Sequence, residues 1–135
     1  MRFLPDTNMM ISWVARGNPV VTELIARHRP DIALSSIVLH ELYFGAFNSQ
    51  RVDRNLREIE GFGIPILPFD HNDARAAGEI RATLRRRGTP IGPYDVMPYD
   101  VMIAGQALAR GLTLVTANTS EFGRVEGLRV EDWTA

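Results

Sequence analysis

Asp6 follows a short apolar opening, Met1-Arg2-Phe3-Leu4-Pro5-Asp6-Thr7-Asn8, that delivers a carboxylate to the end of a short strand. In an open α/β sheet, ligands bind beyond such strand ends. Two more acids, Glu41 and Asp100, stand early in later helical segments, so the chain reads as a scaffold that gathers scattered carboxylates at one sheet edge. Gathered carboxylates repel one another unless a divalent cation neutralises them. A hard cation held by oxygens lowers the pKa of a bound water and steadies charge at a phosphate. The residues alone therefore point to a small metal-dependent enzyme that cuts a phosphodiester.

Each acid also has a plainer explanation. Glu41 lies among Leu39, Leu42, Tyr43 and Phe44, where a carboxylate is costly unless it faces a cleft or a partner. Taken alone it reads as an ordinary helix glutamate. Asp100 directly precedes Val101-Met102-Ile103-Ala104, and the first turn of a helix favours an anion. Capping and metal binding are compatible there. The three histidines, His28, His40 and His71, follow no metal-site spacing, and surface or capping roles are expected of them.

The elements that must position these acids alternate strand and helix. Phe3-Leu4 is a short first strand, followed by a helix through Val14 that ends at Gly17-Asn18-Pro19. Val20, Val21, Leu24 and Ile25 form the next helical stripe, Ile32-Ala33-Leu34 a buried strand, and Ser35 or Ser36 caps the helix that carries Glu41. Val52, Leu56 and Ile59 mark another helix, and Ile64–Leu67 a strand whose proline places it at an edge or falls at the strand's first residues. Asp70 or Asn72 caps a long helix that ends at Gly88, with Ala74, Ala77, Ile80 and Leu84 inward and Arg75, Arg81, Arg85, Arg86 and Arg87 largely outward. A helix through Leu108 and strands at Leu112–Val115 and Leu128–Val130 complete the pattern. The expected fold is one α/β domain over residues 1–135, a central parallel sheet of four or five strands flanked by helices on both faces.

Between the last two long helices, Pro93-Tyr94-Asp95-Val96-Met97 is repeated at once as Pro98-Tyr99-Asp100-Val101-Met102. Five residues are too few for a structural repeat, so this is a tandem duplication of the kind loops absorb. It leaves two candidate aspartates, Asp95 and Asp100. Asp100 keeps the spacing to the following helix and strand, which fix position better than a loop does, and is preferred.

Composition narrows the choices. A net charge of −1 argues against a globally basic nucleic-acid binder. All 15 cations are arginine, which excludes Schiff-base chemistry, a phosphate-loop lysine and the lysine of phospho-receiver domains. The absence of cysteine removes thiolate metal sites and redox chemistry. No run approaches the ~18 apolar residues of a membrane span, and a cytoplasmic location with no membrane contact is expected.

The Asp6-Thr7-Asn8 opening, Glu41 in Ser36–Leu42, Pro98–Ala104 around Asp100, and Val115-Thr116-Ala117-Asn118-Thr119-Ser120-Glu121-Phe122 together resemble the PIN domain over essentially the whole chain. More narrowly the chain resembles VapC toxins of type II toxin-antitoxin pairs. The resemblance implies a Mg²⁺- or Mn²⁺-dependent endoribonuclease, with tRNA as the leading substrate class, inhibited by a VapB-like antitoxin and forming a homodimer. It implies a 3′-hydroxyl and a 5′-phosphate as products. Asp6, Glu41 and Asp100 match the metal-binding acids, and Asn8 and Thr116 the polar residues that orient them. Asn118 replaces the fourth aspartate of many PIN domains, with Glu121 nearby to supply the charge. Pro5 replaces the usual apolar residue and is expected to bend the strand end. The arginines at 75, 81 and 85–87 offer a lane for RNA, or a solvated helix face. Trp13, Tyr43, Phe44 and Phe47 suit either the core or a groove for a partner. Two other readings stand beside the ribonuclease. A phosphatase is disfavoured by the missing second aspartate and the absent lysine. A catalytically impaired module that binds only its antitoxin would result if the duplication displaced Asp100.

Overall fold

A computed structural model of the chain describes residues 1–89 and 99–134. Five strands, β1 (Phe3–Pro5), β2 (Leu34–Ser35), β3 (Ile66–Leu67), β4 (Thr113–Val115) and β5 (Val130–Glu131), alternate with helices α1 (Thr7–Ala15), α2 (Pro19–His28), α3 (Ser36–Phe47), α4 (Val52–Glu60), α5 (His71–Arg86), α6 (Tyr99–Arg110) and α7 (Thr119–Phe122). Every pairing is parallel: β1 with β4, β4 with β5, and β2 with β3. A single bridge, Phe3 to Ile32, joins the two groups, so the order across the molecule is β3-β2-β1-β4-β5. Strand order reverses at β1, whose neighbours are β2 and β4. Such a switch point opens a crevice beyond the carboxyl ends of the strands.

Pro5 shapes that crevice. Phe3 accepts a hydrogen bond from the Ala33 N–H at 3.1 Å, on the β2 side, and alternation points the Pro5 nitrogen the same way two residues on. Proline brings no hydrogen there. This accounts for a β1–β2 contact limited to one bridge among the described residues, while Pro5 keeps its register with Val115 on the other side.

Every residue of β1 and β4 is buried, which requires cover on both faces of the sheet. Leu4, Met9, Met10, Ile103, Leu114 and Phe122 form the centre of the core. The helix starts follow local chemistry. Asn18 caps α2 with Pro19 at its first position, Ser35 caps α3 through the Ile37 N–H, and Asp70 and Asp73 form a reciprocal capping box on α5.

Helices α5 and α6 pack antiparallel, because Asp73 near the start of α5 meets Gln106 and Arg110 near the end of α6. Gly105 makes this approach possible: a Cβ there would lie 2.5 Å from the Ala77 backbone nitrogen. Asp73 is buried and held by Arg110 at 3.0 Å, so the interface combines close backbone contact with one polar lock.

Several expectations need correction: β2 is Leu34–Ser35 rather than Ile32–Leu34, and Ala74 is exposed rather than inward. The last strand is Val130–Glu131 rather than Leu128–Val130. The helical turn α7 was not foreseen, because four residues carry too little periodicity to detect. His28, the last residue of α2, is half-buried rather than a free surface side chain. Its ring stacks on Trp133 and tilts against Phe3, with centroids 5.2 and 4.9 Å away.

Candidate active site

Asp6 ends β1 and caps α1. Its backbone N–H donates to the Val115 carbonyl at 2.9 Å, and its Oδ1 accepts from the Met9 N–H at 2.9 Å. The Thr116 hydroxyl, fully buried just beyond β4, stands against the Asp6 side chain and favours its charged form. Thr116 Oγ1 in turn accepts from the Asn118 N–H at 3.0 Å. The neighbouring ends of β1 and β4 thus hold one carboxylate from two directions.

Glu41, in the second turn of α3, is half-buried and accepts a hydrogen bond at Oε1 from the Thr7 hydroxyl at 2.8 Å. Asp100 lies in the first turn of α6 and is also half-buried. Glu121, in α7, accepts from Asn118 Nδ2 at 2.6 Å.

These acids act on one another electrostatically. Burial raises the pKa of Asp6 above the ordinary aspartate value, the Glu41 and Asp132 charges add to the rise, and Thr116 and the Met9 bond oppose it. Burial also raises Glu41, helped by Asp100 and opposed by Thr7 and His40. Asp100 is raised by burial and then by Asp6 and Glu121. Among the described residues no arginine pairs with Asp6, Glu41 or Asp100. Among the described residues the crowded acids thus have no arginine counter-charge, and His40 offsets Glu41 alone, a condition a cation relieves.

A PIN-domain family model matches residues 3–128. The chain is 44% identical to the tRNA(fMet)-specific endonuclease VapC of Shigella flexneri, covering 99% of each protein. The chain belongs to the PIN domains, in the VapC branch. Among solved structures, DNA-bound VapBC from Salmonella typhimurium superposes with a TM-score of 0.89 at 41% identity, over 98% of each chain. VapBC2 of Rickettsia felis, bound to a promoter DNA fragment, gives 0.87 at 30% identity over 98% of this chain and 99% of that one.

In this PIN domain the expected site residues meet unevenly. Asp6, Glu41, Asp100 and Thr116 come together, with Asn118 and Glu121 beside them. Asn8 is exposed on the first turn of α1. The hydroxyl that reaches an acid from this segment belongs to Thr7, which sequence reasoning passed over. Its position directly after Asp6 was the available signal. Asp132, whose charge reaches Asp6, was also missed. Asp95 lies outside the described residues. Arg75, Arg85, Arg86 and Arg87 are exposed, and Arg81 is half-buried.

The donor set suits a hard cation, being all oxygen and excessively negative. No three acids or histidines among the described residues close into a ready-made cage.

Proposed function

We propose that this chain is a Mg²⁺- or Mn²⁺-dependent endoribonuclease toxin that hydrolyses tRNA and is held inactive by a VapB-type antitoxin. The observation that carries the reading is the meeting of Asp6, Glu41 and Asp100 at the switch point of the sheet, half-buried or buried and with no arginine partner among the described residues. Full-length similarity to VapC ribonucleases supports the substrate class. The similar VapBC complexes support the antitoxin, and a homodimer is proposed as the simplest closed assembly.

Asp6, Asp100 and Glu41 would hold the cation, with Glu121 as the further acid. When bound, the cation supplies charge to the scissile phosphate and acidifies a water. The protein's own part is orientation. Thr116 and the cap of α1 fix the Asp6 carboxylate, Thr7 fixes Glu41, and Asn118 fixes Glu121. Ionised acids are hydrogen-bond acceptors, so these donors stabilise the charged forms that burial disfavours.

We take the Asp100 copy as the site residue, a reading supported by its charge acting on Glu41 and by those of Asp6 and Glu121 acting on it. On that reading the duplication leaves an aspartate at the site, which favours the enzyme over the binding-only module.

The test is incubation of purified protein with bulk tRNA, with Mg²⁺ or Mn²⁺ and with chelator. Discrete metal-dependent cuts that end in a 5′-phosphate, lost in Asp6→Asn and Asp100→Asn, are expected. Asn remains a good helix cap, so Asp6→Asn removes charge with little damage to α1. A 2′,3′-cyclic phosphate product, or cleavage that persists in chelator, would sink this mechanism.

A further inference from the structure

Beside the acids lies a cleft of about 490 Å³ lined by His40, Glu41, Phe44, Tyr99 and Asp100. Two of these are acids of the candidate site and three are rings. His40 and Phe44 are four residues apart on α3 and share a face of the helix, while Tyr99 opens α6. His40 and Tyr99 meet edge to face, with centroids 5.7 Å apart. Phe44 is 68% exposed, so its ring contributes little to the core.

We propose that His40, Phe44 and Tyr99 form a nucleobase-stacking subsite that holds an unpaired base of the RNA next to the bond cut at Asp6, Glu41 and Asp100. This rests on the ribonuclease reading above. Sequence-specific RNA recognition favours single-stranded nucleotides whose bases are splayed out and stacked on Phe, Tyr or His rings. Phe44 stands ~4.5 Å further along α3 than Glu41, close enough for a base joined through its sugar to a phosphate at the acids. An apolar protein segment in the same cleft would seal Glu41 and Asp100 from water with no counter-charge. A nucleotide leaves them in contact with a hydrated cation.

The experiment uses the full chain with Asp6→Asn, so that RNA is not consumed, and a single-stranded RNA spanning the cut mapped with the unsubstituted protein. A 2-aminopurine replaces each nucleotide flanking the cut in turn, and binding is titrated in Mg²⁺. Quenching of 2-aminopurine at one flanking position is expected. Adding Phe44→Leu should abolish the quenching and weaken binding roughly tenfold, whereas Phe44→Tyr should retain both. Absence of quenching at every flanking position would overturn the subsite, as would unchanged affinity in Phe44→Leu. A Phe44→Leu effect confined to self-association or antitoxin binding, read by light scattering, would overturn it in favour of a protein interface. A chain that cuts RNA but shows no quenching loses only the subsite, whereas a chain that cuts no RNA loses the ribonuclease reading as well.

Discussion

Thr7 Oγ1 donates to Glu41 Oε1 across 2.8 Å, tying the first turn of α1 to the second turn of α3. The same α1 segment begins with Asp6, so one short stretch both supplies an acid and aims another. Groups that orient metal-binding carboxylates commonly matter ~10–100-fold in metal affinity or activity. Thr7→Val, which keeps the shape and removes the donor, should lower RNA cleavage by about that factor with only a small change in melting temperature. Thr7→Ser should restore most of the activity. Equal activity of the Val and Ser variants would show that Glu41 needs no orienting partner.

Asp100→Asn separates stability from activity. Burial and the charges of Asp6 and Glu121 raise the Asp100 pKa, so in the metal-free fold its ionised form is disfavoured relative to the unfolded chain. That destabilisation is absent below the ordinary aspartate value of 3.8 and complete above the raised one. Metal-free Asp100→Asn should therefore melt like the parent in acid and above it at neutral pH, while its cleavage is lost. Mg²⁺ should raise the melting temperature of the parent more than that of the variant. Thermal melts in chelator and in Mg²⁺ across pH test this, and a variant less stable than the parent at neutral pH would refute it.

The raised acids also set the direction of the activity profile. Cation binding requires the ionised forms of Asp6, Glu41 and Asp100, and each is pushed upward primarily by burial. Cleavage should fall on acidification at a pH above the ordinary carboxylate range, and saturating Mg²⁺ should move the fall to lower pH. A midpoint unmoved by metal concentration would indicate another titrating group.

Two of the acids were legible in the sequence because they stand next to a recognisable element boundary, Asp6 after Phe3-Leu4 and Asp100 before an apolar helical run. Glu41, inside α3, was legible only in company with them. The helices were legible through stops such as Gly17-Asn18-Pro19 and caps such as Ser35 and Asp70. What was not legible depends on contacts between segments distant in the chain. The Thr7 hydroxyl reaches a residue 34 positions away, and Asp132 approaches Asp6 only because β5 lies beyond β4 in the sheet. His28 stacks on Trp133 from the opposite end of the chain. A local pattern carries none of these partners.

Gly105 tests the packing of the helix that carries Asp100. A methyl group at this position would come within 2.7 Å of the Ala77 N, Cα and Cβ atoms, mostly rigid backbone. Helix propensity favours alanine over glycine by ~1 kcal/mol, so the local preference and the packing oppose each other. Overpacking commonly costs ~1–3 kcal/mol, and backbone contact places this case at the upper end. Gly105→Ala should lower the melting temperature and reduce cleavage by shifting Asp100. Gly78→Ala, on α5 with nothing within 4 Å of its Cβ position, is the control and should be neutral or stabilising.

The arginine run closes the electrostatic argument. Because α5 runs antiparallel to α6 and Ala77 lies against Gly105, the next two turns of α5 carry Arg85, Arg86 and Arg87 toward the end of α6 that bears Asp100. The axial distances, ~12 Å from Ala77 to Arg85 and ~7.5 Å from Gly105 to Asp100, place the run slightly beyond the acids. Exposed cations there would meet phosphates flanking the cut and offset the repulsion that the acids impose on RNA. Each phosphate contact contributes about one unit to the slope of log affinity against log salt. Changing Arg85, Arg86 and Arg87 together to glutamate should weaken RNA binding, flatten that slope by up to three units and leave melting nearly unchanged. Arg81, half-buried on the same helix, is left intact so that folding is not confounded. An unaltered slope with normal cleavage would make these arginines a solvated helix face and place the RNA path elsewhere.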